Sequence, residues 1–132
     1  MPPAAELCDA LARVTRHLRG VALPGELTIE RLSTLGSIVT HGPVSLTRLA
    51  ELEAISVGAV SRSVKPLEDN GFVFREVDGD DRRAVQLSPT KKGMKAFDEA
   101  TTKYIHHFIL TIGELEPAHR SAIVAMFSQK AD

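Results

Sequence analysis

The stretch VGAVSRSVKPLEDNGFVFRE, residues 57–76, changes from a helical to an extended pattern within a few residues. Its first part carries apolar residues at spacings of three and four, which predicts a helix with one buried face. An Asn-Gly pair ends that helix, and apolar and polar residues then alternate, which predicts a strand. The inward residues predicted for the helix are Val57, Val60, Val64 and Leu67.

A shorter helix precedes this one along the chain. Ser45 is placed to cap it and Ser56 to cap the helix that follows, because serine hydroxyls accept hydrogen bonds from first-turn amides. Two short helices joined by a tight connection are typical of a helix-turn-helix. Downstream, residues 72–77 and 84–87 predict a two-stranded hairpin whose tip is DGDDRR, residues 78–83.

The rest of the chain carries helical apolar stripes. They predict a first helix within residues 5–22, a second helix capped by Thr28, a long helix starting at Thr90 and a last one opening at Pro117. The predicted fold is therefore mainly α with a small two-stranded β wing. The predicted division is one domain over residues 1–132, with a winged helix-turn-helix lobe at 28–89 and flanking dimerisation helices at 5–22 and 90–128.

Length and composition limit the classes of function. With 132 residues, 43% of them hydrophobic, the chain is long enough for one core. A formal net charge of −1 provides no overall field for a polyanion, so a nucleic-acid site needs its cations on one face. A single cysteine and the lack of a signal-like or membrane-length apolar run predict a cytoplasmic protein. The spacing of histidines and carboxylates predicts no metal site, cofactor or catalytic site.

The outward side of the second helix of the pair is predicted to read DNA. Short side chains near a helix start let the backbone approach base edges in the major groove, and cations hold the helix on phosphates. Pro66 removes a backbone hydrogen bond in the second half, so reading is expected in the first turns. An ordinary solvated helix face is the alternative. This reading face consists of Ser56, Gly58, Ala59, Ser61, Arg62 and Lys65.

Further phosphate contacts are predicted around the shorter helix. Its N-terminal amides point outward and favour anions, and nearby hydroxyl and cationic side chains add donors. Simple exposure to solvent is the alternative for each of these side chains. The candidates are Ser45, Thr47, Arg48 and Arg75.

In their order and spacing, GAVSRSVKPLEDNGFVFRE, DDRRAVQL and TKKG resemble the motifs of the MarR family of winged-helix transcription regulators. The resemblance covers residues 7–128. It implies a regulator that binds double-stranded DNA sequence-specifically, with helix 56–69 in the major groove and wing 78–83 in the minor groove. A repressor is favoured over an activator.

The same resemblance assigns roles in the wing. In the family's pattern an Asp-Arg pair stiffens the wing while an arginine reaches the minor groove, whose negative potential attracts it. Carried over to this sequence, Asp81 stiffens the wing, Arg83 is the inserted residue and Arg82 binds phosphate.

The long terminal helices carry more apolar surface than one small domain can cover, which predicts burial against a second copy. The resemblance also implies this homodimer, through residues 5–22 and 90–128. Two winged helices would then meet two half-sites of a pseudo-palindromic operator about one helical turn apart.

The resemblance further implies an effector, because family members bind small, often phenolic or anionic molecules between the dimer helices and the DNA-binding lobe. Surface or interface residues without a ligand are the alternative. The residues that would line such a pocket are Arg13, Arg16, His17, Ser37, His41 and Phe108.

Two other functions stay open. The acidic wing and the near-neutral charge fit a winged-helix module that binds protein and has no operator. In addition, ELCDAL around Cys8 resembles the first helix of the family's peroxide-sensing branch. That branch uses tyrosines from its first two helices, whereas the only tyrosine here is Tyr104, so an inert interface thiol is the alternative.

Overall fold

The structure, a computed structural model, describes residues 2–78 and 81–128, and their side chains except those of residues 78, 81–84 and 126–128. The chain divides into two compact units. One consists of Met1–Val21 with Lys103–Asp132, and the other of Ala22–Thr102.

The described residues form a mainly helical chain with a small β-sheet, as the sequence predicts. One turn of 3-10 helix at Pro24–Glu26 follows the first helix. In chain order the elements are α1 Ala4–Arg19, α2 Ile29–His41, β1 Val44–Ser45, α3 Leu46–Glu53, α4 Val57–Asp69, β2 Val73–Asp78, β3 Asp81–Pro89, α5 Lys91–Gly113 and α6 Pro117–Ser128.

Side-chain caps start α2, α3 and α4, and each is the residue predicted from the sequence. The hydroxyl of each cap accepts the backbone N–H three residues ahead, at 3.1 Å for Thr28, 3.0 Å for Ser45 and 3.1 Å for Ser56. These bonds satisfy amides that have no partner within the helix. The start of each helix is therefore set by its own local sequence.

The helices α2, α3 and α4 pack on one another around an apolar core in the Ala22–Thr102 unit. This core contains Val60, Val64 and Leu67, which were predicted to face inward from α4. Its fully buried residues include Leu35, Ile38, Leu49, Val60, Val64 and Leu87.

The sheet has three antiparallel strands in the order β1-β3-β2, so the predicted two-stranded wing gains a third strand. The added strand, β1, is only two residues long and pairs Val44 with Leu87 of β3. A strand this short has no alternating pattern of its own. It forms because the chain between α2 and α3 passes beside β3, so its formation depends on the tertiary structure.

The hairpin tip is shorter than predicted. The sequence pattern predicts a tip over residues 78–83, but β2 extends to Asp78 and β3 already begins at Asp81, so Arg82 and Arg83 belong to a strand. Residues 79 and 80 lie outside the described chain. The prediction was wrong because a charged run looks like a loop, whereas strand pairing uses backbone groups and tolerates charged side chains on an exposed hairpin.

The end of α4 is tied to the start of α5. Gly71 takes the left-handed conformation predicted for the helix stop, with φ of 74°. The backbone N–H of Thr90 donates to the carbonyl oxygen of Phe72 at 2.9 Å, and the Thr90 hydroxyl donates to that of Gly71 at 2.6 Å. Lys92 Nζ donates to the carbonyl oxygen of Asn70 at 2.8 Å. Three consecutive carbonyls beyond α4 thus find partners at the start of α5.

In the other unit α1 packs against α6. Ala10, Val14 and Leu18 are the buried residues of α1, and Ile123 of α6 is also buried. This confirms the predicted apolar stripe in its central part.

Substitution of Gly93 in α5 tests the close packing of α5 on the chain that follows α4. A Cβ at this position would overlap the carbonyl oxygen of Phe72. We expect Gly93→Ala to lower the free energy of unfolding by about 1–3 kcal/mol, as overpacking does. Gly113→Ala in the same helix is the matched control, since a Cβ there meets nothing within 4 Å. It should leave stability unchanged or raise it by up to about 1 kcal/mol. Urea denaturation measures both free energies of unfolding. Equal effects of the two substitutions would show that Gly93 does not pack closely against Phe72.

Candidate nucleic-acid interface

The pair α3 and α4 forms a helix-turn-helix in the Ala22–Thr102 unit, and its two helices pack on each other. The turn passes through Ala54, which ends α3 in the left-handed conformation with φ of 55°. The backbone N–H of Ile55 then donates to the carbonyl oxygen of Ala50 at 3.1 Å, and the Ser56 cap starts α4. This geometry leaves the beginning of α4 at the surface, where Ser56, Val57 and Gly58 are exposed.

Two rows of residues run along the outward side of α4. Because residues four apart in a helix lie above one another, Val57, Ser61 and Lys65 share one row. Gly58 and Arg62 share the next row. Nη1 of Arg62 lies 3.6 Å from the position that a Cβ on Gly58 would take. The guanidinium therefore lies above a stretch of bare helix backbone.

Arg62 is exposed and makes no hydrogen bond or ion pair within the described part of the chain. Lys65 in the neighbouring row has its Nζ 3.8 Å from Oδ1 of Asp69, and both side chains are largely exposed. An exposed pair at this helical spacing contributes only about 0.3–0.5 kcal/mol, so an incoming anion readily replaces the carboxylate. The two cations of the reading face are therefore available to an anionic ligand.

The phosphate candidates on α3 are also accessible. Ser45 is the cap itself, and Thr47 and Arg48 are exposed in the first turn. Arg48 Nη1 lies 2.9 Å from Oε2 of Glu51 in an exposed pair of the weak type described for Lys65.

Arg75 of β2 is held more firmly than the other cations. Its Nε lies 2.8 Å from Oε1 of Glu68 on α4, and the two side chains are only 38% and 28% exposed. A short, partly buried, charge-assisted hydrogen bond is harder to open than a surface pair. Arg75 thus joins the wing to α4, and its predicted contact with phosphate stays a prediction.

Val57 was predicted to face inward, and this prediction was wrong, because its side chain is 46% exposed. The helical spacing groups Val57 with Val60 and Val64, which are fully buried. Val57, however, is the first residue after the Ser56 cap, and the residues on both sides of it are exposed. Its position directly after the cap is the sequence signal that could have identified it as part of the surface.

The structure describes the side chains of the other candidates on the reading face but not those of the wing candidates. Ala59 and Ser61 are half-buried on α4. The backbones of Asp81, Arg82 and Arg83 start β3, but their side chains lie outside the described residues.

The predicted effector residues are divided between the two units. Arg13, Arg16 and His17 are exposed on α1, and Phe108 is half-buried on α5 in the same unit. Nε of Arg13 lies 3.3 Å from Oδ2 of Asp9. In the other unit α2 carries Ser37, which is half-buried, and His41, which is exposed. Cys8 is an exposed thiol on α1.

One protein family matches the central part of the chain. The model of the MarR family matches residues 27–85, the segment from α2 to β3 that contains the helix-turn-helix and most of the wing. Over this segment the chain is similar to the MarR family.

Proteins similar to this chain are described as helix-turn-helix regulators. ML2140 of Mycobacterium leprae, described as an uncharacterized HTH-type transcriptional regulator, is 28% identical over 112 residues, 83% of this chain and 78% of the relative. YwaE of Bacillus subtilis, with the same description, is 34% identical over 67 residues. That match spans 51% of this chain and 39% of YwaE.

Solved MarR-type structures share the fold. BpsR of Bordetella bronchiseptica, whose DNA binding is regulated by 6-hydroxynicotinic acid, has a TM-score of 0.76 at 24% identity, covering 99% of this chain and 95% of BpsR. The apo form of Escherichia coli MarR has a TM-score of 0.76 at 18% identity, covering 96% of each chain.

The MarR family is one of DNA-binding transcriptional regulators and not of enzymes. None of the helices in residues 2–78 and 81–128 has the length and apolar character needed to cross a bilayer.

Two substitutions at Ser56 separate the stability of α4 from the charge of the reading face. One removes the cap without adding a charge, and the other keeps a cap and adds a negative charge. Ser56→Ala removes the acceptor for the Ala59 amide and should lower the free energy of unfolding by about 1 kcal/mol. Ser56→Asp keeps an acceptor at the cap and should stay close to the wild type in stability. Urea denaturation of the three proteins checks this order. An alanine variant as stable as the wild type would show that the cap bond does not support α4.

Proposed function

We propose that this chain is a transcriptional repressor of the MarR family that binds a pseudo-palindromic operator as a homodimer. The observation that carries the proposal is the guanidinium of Arg62, which has no partner among the described residues and lies above the bare backbone of Gly58 on the first turns of a capped helix. A bidentate donor next to a position without a side chain suits a base edge in the major groove.

In this proposal α4 enters the major groove with its N-terminal turns first. Arg62 binds a guanine edge or a phosphate, and Lys65 leaves Asp69 for a phosphate. The N-terminal amides of α3, with Thr47 and Arg48, bind the phosphate backbone. These contacts position the helix, while the base contacts of α4 provide the sequence preference.

The wing completes the proposed interface. Arg83 enters the minor groove, Arg82 binds a phosphate and Asp81 orders the arginines, as the family pattern implies. The ion pair between Arg75 and Glu68 supports this assignment, because it fixes β2 against α4 and so limits the freedom of the hairpin that carries the arginines.

The homodimer is proposed from the apolar surface of the unit that contains α1, α6 and the second half of α5. There α5 exposes Ile105, Ile109 and Leu110, and Ile109 is 63% exposed. Contiguous exposed aliphatic side chains of this kind mark an interface in soluble proteins. A twofold-symmetric partner supplies the same surface and so covers both copies.

We also propose regulation by a small phenolic or anionic effector. The support is the similarity in fold to BpsR, whose DNA binding responds to 6-hydroxynicotinic acid, a molecule with a carboxyl group. The sequence-based candidates stay predictions: Arg13, Arg16, His17 and Phe108 belong to one unit, and Ser37 and His41 to the other. The proposed location is the cytoplasm, in agreement with the composition of the sequence.

The two alternatives have weaker support. A module that only binds protein has no evident use for an exposed arginine above a bare glycine in a helix-turn-helix. A peroxide sensor would act through Cys8, which is exposed, but no described ion pair or hydrogen bond involves this thiol.

Arg62→Ala should lower the affinity for an operator, selected by the protein from random duplexes, by about 5- to 150-fold. The loss reflects a missing bidentate contact of about 1–3 kcal/mol. Lys95→Ala is the control, since Lys95 is an exposed cation on α5 that pairs only weakly with Glu99, and it should change affinity by less than about two-fold. Fluorescence anisotropy across a salt series measures both. Failure to select any duplex, or equal effects of the two variants, would refute the proposed function.

Ile109→Glu should shift the protein from dimer to monomer and weaken operator binding, because a carboxylate in an apolar interface loses its hydration. Val77→Glu is the control for the oligomeric state, as Val77 is similarly exposed, at 57%, but lies on β2. Light scattering gives the mass of each protein. A monomeric wild type, or a dimer that survives Ile109→Glu as well as Val77→Glu, would overturn the assigned interface.

A further inference from the structure

Val57 adds a large apolar side chain to the surface of the reading face, whose own residues are polar, cationic or as small as Gly58 and Ala59. Val57 is 46% exposed as the first residue of α4, directly after the Ser56 cap. The cap bond from the Ala59 amide to Ser56 Oγ, at 3.1 Å, fixes the backbone of this first turn. Val57 is therefore held at the surface in a defined orientation by a folded helix.

The surroundings of Val57 identify the class of its partner. Its own row continues with Ser61 and Lys65, and the neighbouring row holds Gly58 and Arg62. The cations favour an anionic partner, and the small residues let that partner approach the helix backbone. Double-stranded DNA in its major groove satisfies both conditions.

The major groove contains one prominent apolar group, the 5-methyl of thymine. Hydrogen-bonding groups on the other base edges would lose their partners against a valine side chain, which favours contact with the methyl. Resting on the proposed function above, we infer that Val57 determines specificity by packing on the 5-methyl group of a thymine in each half-site. Val57 thus complements Arg62, since one residue recognises an apolar group and the other a hydrogen-bonding edge.

Ile55 is the nearest competitor for this role. It is 43% exposed, but it lies in the turn before α4 and outside the two outward rows. Its side chain is of similar size and apolar character, so it provides a matched control within the same helix-turn-helix.

The test removes the methyl group from DNA and the side chain from the protein in all combinations. In an operator selected from random duplexes, each thymine is replaced in turn by deoxyuridine, which lacks only the 5-methyl group. The wild type should lose affinity at one position in each half-site by roughly four-fold, the effect of losing one buried methyl contact. Val57→Ala should bind the thymine and uracil duplexes equally at that position, whereas Ile55→Ala should keep the four-fold preference.

Three results would overturn the inference. They are a wild type insensitive to every thymine replacement, a Val57→Ala variant that keeps the full preference, and an Ile55→Ala variant that loses it. Val57→Thr is a second variant that keeps the branched shape and replaces a methyl by a hydroxyl, and it should reduce the preference. Failure of the proposed function is distinguishable, because in that case the wild type would select no duplex at all.

Discussion

The contact between the end of α4 and the start of α5 is the constraint on which the helix-turn-helix depends. The carbonyl oxygens of Asn70, Gly71 and Phe72 accept hydrogen bonds from Lys92 and Thr90. These carbonyls follow the last turn of α4, where the helix itself supplies no donors. The close backbone approach at Gly93 makes the arrangement specific, because no other residue fits against Phe72. The C-terminal end of α4 is thereby fixed, and its N-terminal end remains at the surface.

Helix α4 therefore has two halves with different interactions. Pro66 lies inside α4, and the helix continues through it to Asp69. Beyond the proline the side chains and carbonyls are engaged within the protein: Asn70 Nδ2 donates to the carbonyl oxygen of Pro66 at 2.8 Å, and Glu68 pairs with Arg75. Before the proline the outward side carries Arg62, which has no partner in the described chain. Interactions that stabilise the fold and groups that remain free for a ligand are thus separated along one helix.

Local sequence was sufficient for much of this architecture. Thr28, Ser45 and Ser56 cap their helices as predicted, because a cap bond reaches only three residues along the chain. The stop at Gly71 was predictable for the same reason. The strand β1 was not, since a two-residue strand exists only where another strand lies beside it. The ion pair of Arg75 with Glu68 was also missed, because seven residues and a change from helix to strand separate the partners.

The sequence by itself determined the order of the helices and of the two wing strands, the capped starts of α2, α3 and α4, most of the buried face of α4, and the set of cations available to the reading face. Tertiary structure decided which of those cations are engaged and which apolar residues remain exposed. Val57 has the spacing of a core residue and lies at the surface, whereas Val60 and Val64 are buried. The physical reason is that periodicity defines the direction of a side chain from its helix axis, while burial requires another element to lie in that direction. Only the packed fold supplies that element.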